Sequence, residues 1–348
     1  MPQPLLTIAI PTYNRSSHLA TLLSVLATEL RALGERVQVL VLDNASPDDT
    51  PAVVQRFQPH IAHLTHRRNH ENIGPDHNIR NAFRDPSTPY VWVVGDDDAP
   101  LPGAITGLVE LLETTAPDMV YLPSLATFDL AHDYPGQPSV RPSWTTLSRE
   151  RFAEILNVRL TFISGLVFRK ACASAQAIDA NLAHTDATNL VQLAWTYEAL
   201  KQGRRFVIAR QNLLMASSDN RSGYSVLQVF LVNHTRIAQT LLAGHPGLAR
   251  RILGRTSACF VPGIIWTMRK NKLGDFELPS FGEVRVPREL ARLASFRLLV
   301  EPIWRLPAAA AWPFFQVSRV VSRLTRMFDS VVLALASRNA DSGRTPSP

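Results

Sequence analysis

The feature that most constrains how this 348-residue chain folds is an alternation in its first half. Short β-branched apolar runs take turns with segments of helical periodicity. Residues 5–10 form an apolar run closed by Pro11, and residues 37–42, 61–65, 90–94 and 118–122 repeat the pattern. Between them, residues 18–33 carry Leu19, Leu22, Leu23, Leu26 and Leu30 at helical spacing, and residues 75–83 and 102–114 read as further helices. Ser46 is expected to cap another helix, with Pro47 in its first position. A strand–helix–strand–helix order implies a mostly parallel sheet, because each helical crossover covers a face and returns the chain to the same end. A strand at 163–168 and a helix at 188–201 extend the pattern. Residues 127–150, rich in Pro, Ser and Thr, read as a surface insertion.

Ligands of such sheets bind beyond the carboxyl ends of the strands. Polar clusters sit at those ends. Tyr13, Asn14 and Arg15 follow the first strand, Asp43 and Asn44 the second, and Asp96, Asp97 and Asp98 the fourth. Three consecutive carboxylates at the end of a buried strand repel one another, and stay ionised only beside a cation or strong hydrogen-bond donors. A hard cation, Mg²⁺ or Mn²⁺, takes oxygen ligands, typically one or two carboxylates plus substrate phosphates. In an extended segment Asp96 and Asp98 would point to the same side. The alternative is a solvated acidic turn ahead of the helix near Pro102.

Four blocks occur in a fixed order. They are Ile10-Pro11-Thr12-Tyr13-Asn14-Arg15, then Val41-Leu42-Asp43-Asn44-Ala45-Ser46 with Asp48-Asp49-Thr50, then Asn72-Ile73-Gly74 with Asn78, then Gly95-Asp96-Asp97-Asp98. In order and spacing this resembles the family 2 glycosyltransferases of the GT-A fold. The last block is similar to that of bacterial O-antigen and capsule transferases of the abequosyltransferase-like group. The resemblance covers about residues 4–125 strongly and 160–210 weakly. It implies an α/β, GT-A (nucleotide-diphospho-sugar transferase) Rossmann-like fold, with a mostly parallel sheet flanked by helices and a C-terminal helical appendage. The expected domains are 1–225 for the transferase, 226–295 for a helical region and 296–348 for an amphipathic basic tail.

The resemblance also implies a reaction: inverting, metal-dependent transfer of a sugar from a nucleotide-sugar donor to a hydroxyl of a glycan or lipid-linked acceptor, in cell-surface polysaccharide synthesis. It assigns the nucleotide pocket to Pro11, Thr12, Tyr13 and Arg15, and the base-ring contact to Asp43. Asp96 and Asp97 fall to the ribose side, and Asp98 with Asp96 to the metal. Where the family more often has a second acid, this chain has Asn44. Arg68, Asn72, Gly74 and Asn78 are expected around the donor, with Arg67 and Arg68 each able to meet a diphosphate or remain solvated loop charges. The base would be Asp186, in His184-Thr185-Asp186, where the family often has a Glu-Asp pair; a helix-capping role is the other reading. Arg221 and Tyr224, in a polar segment after the last strand-like run, could close over the donor or lie on a plain surface loop.

The rest of the chain narrows partners. The net charge is +7, and the last 64 residues hold ten arginines and no lysine against four acids, so the body is near neutral. Val317, Val320, Val321, Leu324, Phe328, Val331, Val332 and Leu335 recur at helical spacing, with Arg319, Arg323 and Arg326 elsewhere around the turn. With Trp304, Trp312, Phe314 and Phe315 before them, they describe either a helix lying in a membrane surface or one packed on protein. Aromatics are not interleaved with cations, which argues against nucleic acid. No apolar run reaches the roughly 18 residues of a spanning helix, and residues 5–10 are too short for a signal-peptide core. Cys172 and Cys259 match no metal spacing. The expected location is therefore cytoplasmic, peripheral on the inner membrane face. The five histidines His60, His63, His66, His70 and His77 lack the Glu of a zinc-protease helix and read as surface and pocket-edge residues. A sugar nucleotidyltransferase would need a glycine-rich loop after strand one, and residues 11–15 contain no glycine. A non-catalytic nucleotide-sugar-binding scaffold remains the non-enzymatic alternative.

Overall fold

The structure is a computed structural model, and it describes residues 4–127, 130–135, 139, 141–217, 225–270, 279 and 281–342, the last six as backbone only. The chain divides into two compact units. One is Met1–Arg149 with Phe162–Arg221; the other is Glu150–Thr161 with Ser222–Pro348.

The first unit is built on β1 (Leu6–Thr12), β2 (Val37–Asp43), β3 (Leu64–Arg68), β4 (Tyr90–Val93), β5 (Ala99–Pro100), β6 (Met119–Tyr121), β7 (Ser124–Thr127), β8 (Trp144–Leu147), β9 (Leu166–Arg169), β10 (Phe206–Ala209) and β11 (Leu214–Ser217). Eight of these form one sheet in the order β3-β2-β1-β4-β9-β6-β10-β8, and β5-β11-β7 form a second, small sheet. In the large sheet β3, β2, β1 and β4 are mutually parallel, as are β6 and β10, while β9 and β8 run antiparallel to their neighbours. The mostly parallel sheet follows from sequence. Leu6, Ile8, Ile10, Val39, Val41, Trp92 and Val94 are essentially inaccessible, as strands covered on both faces require. Register then fixes the site. The last pairs are Thr12 with Asp43 and Asp43 with Arg68, so three polar residues stand in a row at the carboxyl edge.

Helices of this unit are α1 (Ser16–Glu29), α2 (Thr50–Phe57), α3 (Pro75–Arg84), α4 (Ala104–Thr115), the short α5 (Leu130–Asp133), α7 (Ala175–Thr185) and α8 (Leu193–Gln202), while α6 (Arg149–Leu156) begins at its border. α1 buries Leu19, Leu22, Leu23 and Leu26 in the core. Each fully buried leucine contributes about 2–3 kcal/mol of transfer free energy.

Four expectations need correction. Ser46 does not cap a helix. It is held inside the loop by Asn14 and Asp43, and α2 starts at Thr50. The third strand is three residues later than its apolar run, because β3 is the sheet edge and its mixed exposure leaves pairing with β2 to set the register. The helix expected from 188 begins at Leu193, since Ala187 (φ 55°) and Asn189 (φ 59°) are left-handed and interrupt it. Finally, the 127–150 segment is more than an insertion, for its β8 closes the sheet against β10.

The second unit is helical, with a π-helical turn Gln228–Asn233, α9 (His234–Leu241), α10 (Pro246–Cys259), α11 (Val261–Arg269), α12 (Arg288–Ala291), α13 (Ala294–Leu299), α14 (Glu301–Arg305) and α15 (Ala308–Ser342). Ile237, Ile252, Ile265, Phe296 and Ile303 fill its core. α15 turns Ala311 and Ser318 inward, and Trp266 of α11 stacks on its Phe315 with ring centroids 4.6 Å apart. Arg255 of α10 meets Asp329 of α15 at 2.8 Å. Among the described residues no helix is long and apolar enough to cross a membrane.

Candidate active site

The acidic run is a tight turn and not an extended segment, with Asp98 N–H donating to Gly95 O at 3.1 Å. The alternation expected of Asp96 and Asp98 is therefore lost, and the two carboxylates find different partners. Asp96 turns to β1: Thr12 Oγ1 donates to its Oδ2 at 2.6 Å, and Arg15 Nη1 lies 3.3 Å from its Oδ1. The same Arg15 nitrogen donates to Asp97 Oδ2 at 2.7 Å. Asp98 turns to β11, where its Oδ1 accepts Ser217 N–H at 3.0 Å. Ser164 Oγ accepts Gly95 N–H and donates to Asp98. A Cβ on Gly95 would stand 3.0 Å from Asp97 Oδ1 and 3.3 Å from Asp98 Oδ2, so the bare glycine leaves room for those two oxygens over one backbone face.

Both flanking carboxyls are buried, at 5% exposure each. Burial pushes Asp96 up to about 6, against the pull of Thr12 and Arg15. It pushes Asp98 up to about 7, helped by the neighbouring charge of Asp97. The turn thus holds more negative charge than its one arginine balances. That fits a cation, although among the described residues no three His, Cys, Asp or Glu side chains form a cage. Hard cations in nucleotide sites take one or two carboxylates and complete their shell with phosphate and water. Asp98 and Asp97 are the carboxylates that could supply such ligands. Asp96, also expected as a ligand, has both oxygens engaged by Thr12 and Arg15.

Next along the edge, Asp43 is completely buried. Its Oδ1 accepts Ser46 N–H at 2.8 Å, closing the loop in which Ala45 adopts φ 61°. Its Oδ2 has no aligned donor: Arg68 Nη1 is 3.3 Å away and His66 Nε2 3.6 Å, and neither makes a hydrogen bond to it. Burial holds His66 below its ordinary value despite that carboxylate, so the cation facing Oδ2 is Arg68. Arg68 Nη2 instead donates to Ser46 O at 2.9 Å, while Arg67 points away to pair with Asp85.

Asn44, Asn72, Gly74 and Asn78 come together as scaffolding. Asn44 Nδ2 donates to Asn72 Oδ1 at 2.8 Å and to Gly74 O at 3.3 Å; its Oδ1 accepts Ile73 N–H and Asn69 Nδ2. Asn78 Nδ2 donates to Leu42 O at 3.0 Å, fastening α3 beneath β2. Gly74, at φ 82°, precedes α3 in a conformation that suits only glycine. Pro11 pairs with Leu42 within the sheet, and Tyr13 stands exposed just past β1.

Asp186 lies apart from the acidic turn's hydrogen bonds. It ends α7, its N–H bonded to Leu182 O, so it does not cap the helix that follows. Its side chain is 45% exposed and 3.7 Å from His77 Nε2. Asp76, at the start of α3, is buried beside it. Asp76 accepts Asn189 N–H, and is raised by burial and, among other causes, by the Asp186 charge. Arg221 and Tyr224 lie outside the described residues. Sequence reading missed Asn69, Asp76, Ser164 and Ser217; only Asn69 and Asp76, beside the Asn72-Ile73-Gly74 block, had a local signal.

Comparison with known proteins agrees with this geometry. The family described as "Glycosyl transferase family 2" matches residues 7–173. Abequosyltransferase RfbV of Salmonella typhimurium is 29% identical over 113 residues, covering 32% of this chain and 34% of that protein. A Campylobacter jejuni GalNAc(5)-diNAcBac-PP-undecaprenol beta-1,3-glucosyltransferase is 30% identical over 109 residues, again with 34% of its length covered. The chain therefore aligns with about a third of either relative. Among solved structures, S. aureus TarS 1-349 superposes with a TM-score of 0.53 at 17% identity, covering 92% of this chain and 91% of that one. Its complex with UDP-GlcNAc gives 0.55 over the same coverage. These structures show a shared fold. Residues 7–173, which hold β1 to β9 and the polar row at the carboxyl edge, are thus similar to glycosyl transferase family 2.

Proposed function

We propose that this chain is a glycosyltransferase that moves a sugar from a nucleoside-diphosphate donor to a hydroxyl of a glycan or lipid-linked acceptor, inverting at the anomeric carbon, in the building of cell-surface polysaccharide. The observation that carries the reading is the excess of buried acid over its partners at the carboxyl edge. Asp43 Oδ2 is buried with no hydrogen-bond donor and only Arg68 at ion-pair distance, Asp96 is buried and shares Arg15 with Asp97, and the buried Asp98 is held by Ser217 N–H and Ser164. Buried acceptors are costly until paired. A nucleobase N–H would satisfy Asp43, and a ribose hydroxyl would find Asp96 or Asp97.

Bound Mg²⁺ or Mn²⁺ would stabilise negative charge developing on the leaving diphosphate; Asp98, with Asp97 beside it, would hold it. Arg15 and Arg68 set the positive edge of the pocket, and Thr12 keeps Asp96 in place. The exposed Asp186 would take the acceptor's proton as it attacks opposite the leaving group. The amphipathic α15 suits a cytoplasmic chain seated peripherally on the membrane, where a lipid-linked acceptor resides.

A melting-temperature screen of nucleoside diphosphates and their sugars, with Mg²⁺, Mn²⁺ or EDTA, tests the donor site. A metal-dependent rise with one nucleotide, lost in Asp98→Ala, is expected, and release of that nucleoside diphosphate on adding acceptor completes the assignment. Absence of any shift from folded protein overturns the reading. A shift with no release under any acceptor leaves the non-catalytic nucleotide-sugar scaffold.

A further inference from the structure

A cavity of about 590 Å³ lies within the helical unit, lined by Glu154, Arg250, Arg251, Arg255, Leu324 and Phe328 among others. Its charges do not cancel. Glu154 Oε2 serves Arg151 at 3.1 Å and Arg251 at 3.3 Å, and its Oε1 is 3.6 Å from Arg255. Arg255 also pairs with Asp329 at 2.8 Å. Two carboxylates thus face three arginines, and a fourth, the exposed Arg250, joins none of these pairs. The Nε of Arg255 is buried with no acceptor. Guanidinium groups so placed match the oxygens of a phosphate, which they can grip in pairs.

The part of the lining that α15 supplies is largely apolar and open. Leu324 is 59% exposed and Phe328 52%, and Val317, Val320, Val331 and Leu335 continue the exposed row along α15. Arg151 lies over the Phe328 ring at 5.1 Å, so charge and apolar surface meet at one point. Arg319, Arg323 and Arg326 stand exposed on the same helix. A free phosphate accounts for the arginines and leaves the apolar row without purpose. A lipid accounts for both, with its phosphate among the arginines and its chains and neighbours along the row.

We propose that this cavity binds the phosphate head of a membrane lipid, anchoring the helical unit to an anionic leaflet. The inference rests on the membrane-surface part of the function proposed above and names the site that would carry it.

The test is co-sedimentation of the full chain with vesicles of phosphatidylcholine alone and of phosphatidylcholine mixed with phosphatidylglycerol. Two double variants of equal charge loss are compared, Arg250→Gln with Arg251→Gln at the cavity, and Arg319→Gln with Arg323→Gln outside it. Binding should require phosphatidylglycerol. Each surface arginine lost costs about fivefold in partitioning by general attraction, about 25-fold for either double variant, and the loss of charge-assisted hydrogen bonds to a bound phosphate should cost the cavity variant roughly tenfold more. Equal losses mean diffuse charge only and overturn the site. Thermal protection by inorganic phosphate or pyrophosphate, without vesicle binding, assigns the cavity to a soluble anion and overturns the lipid. A dimer that ignores vesicles assigns the apolar row to a second copy, with the same consequence. Nucleotide-dependent melting shifts, run on the same samples, separate the two claims. Shifts kept without vesicle binding sink this inference alone, and vesicle binding without shifts sinks the transferase reading.

Discussion

Thr12 Oγ1 donates to Asp96 Oδ2 at 2.6 Å, so the last residue of β1 holds the first carboxylate of the turn after β4. Both residues are buried. Thr12→Val keeps the shape and removes the donor, leaving a buried carboxylate less satisfied. The expected cost is about 1–3 kcal/mol in chemical denaturation, with weaker nucleotide binding. Thr12→Ser retains the hydroxyl and should stay within about 1 kcal/mol, the worth of its lost methyl. If both variants lose equally, the hydrogen bond is not what the position contributes.

Asp98 gives the apo protein a pH dependence of defined sign. Its ordinary value is 3.8, and burial raises it to about 7 in the folded chain, with Asp96 raised to about 6. Between those limits the folded state binds more protons than the unfolded state, so stability falls as pH rises. The contribution is complete below about pH 4 and is lost as pH passes through about 7. Asp98→Asn removes the ionisation and can keep an oxygen for Ser217 N–H. In EDTA it should be more stable than the parent at pH 8, by on the order of 1–3 kcal/mol, with the gap closing toward pH 5. Melting curves at the two pH values decide it. A variant less stable than the parent at pH 8 would show that Asp98 is stabilised as an anion.

The partners of Asn44 require an amide at this position. Its Nδ2 faces two acceptors, Asn72 Oδ1 and Gly74 O. In Asn44→Asp a carboxylate would face both, next to the buried Asp43. A loss of about 2–3 kcal/mol is expected, with faster amide exchange at Ile73, whose N–H bonds to Asn44 Oδ1. Unchanged exchange at Ile73 would show that the loop holds without this residue.

What was legible in the sequence divides by physics. β1, β2 and β4 are buried on both faces, so their apolar runs announce them. β3 lies at the edge with a mixed burial pattern, and its position is set by pairing with β2, which no local window contains. Thr12, Asp43 and the acidic run could be read because they stand at or just past the ends of β1, β2 and β4, whereas Arg68 closes the edge strand. The partners that orient Asp98 could not: Ser217 is 119 residues away, and Ser164 sits in a short helical turn with no distinguishing pattern. The turn at Gly95 was misread for a similar reason. Alternation assumes an extended chain, and the hydrogen bond from Asp98 N–H to Gly95 O ends it.

Asp186 is where the mechanism is most exposed to refutation. The residue is half-exposed and contributes to α7 through its backbone N–H, which any side chain retains. Asp186→Asn should therefore change stability by no more than about 0.5 kcal/mol. As the acceptor's base its loss should lower kcat by about 10²–10⁴-fold with donor affinity unchanged. Single-turnover transfer with saturating donor separates these effects. The neighbouring Asp76 is the internal control, because it is buried, accepts Asn189 N–H, and has its carboxyl raised chiefly by burial. Asp76→Asn should disturb folding more than Asp186→Asn does. If Asp186→Asn keeps full kcat while a folded Asp76→Asn loses it, the proton goes to Asp76, and Asp186 serves only to raise its neighbour's affinity for that proton.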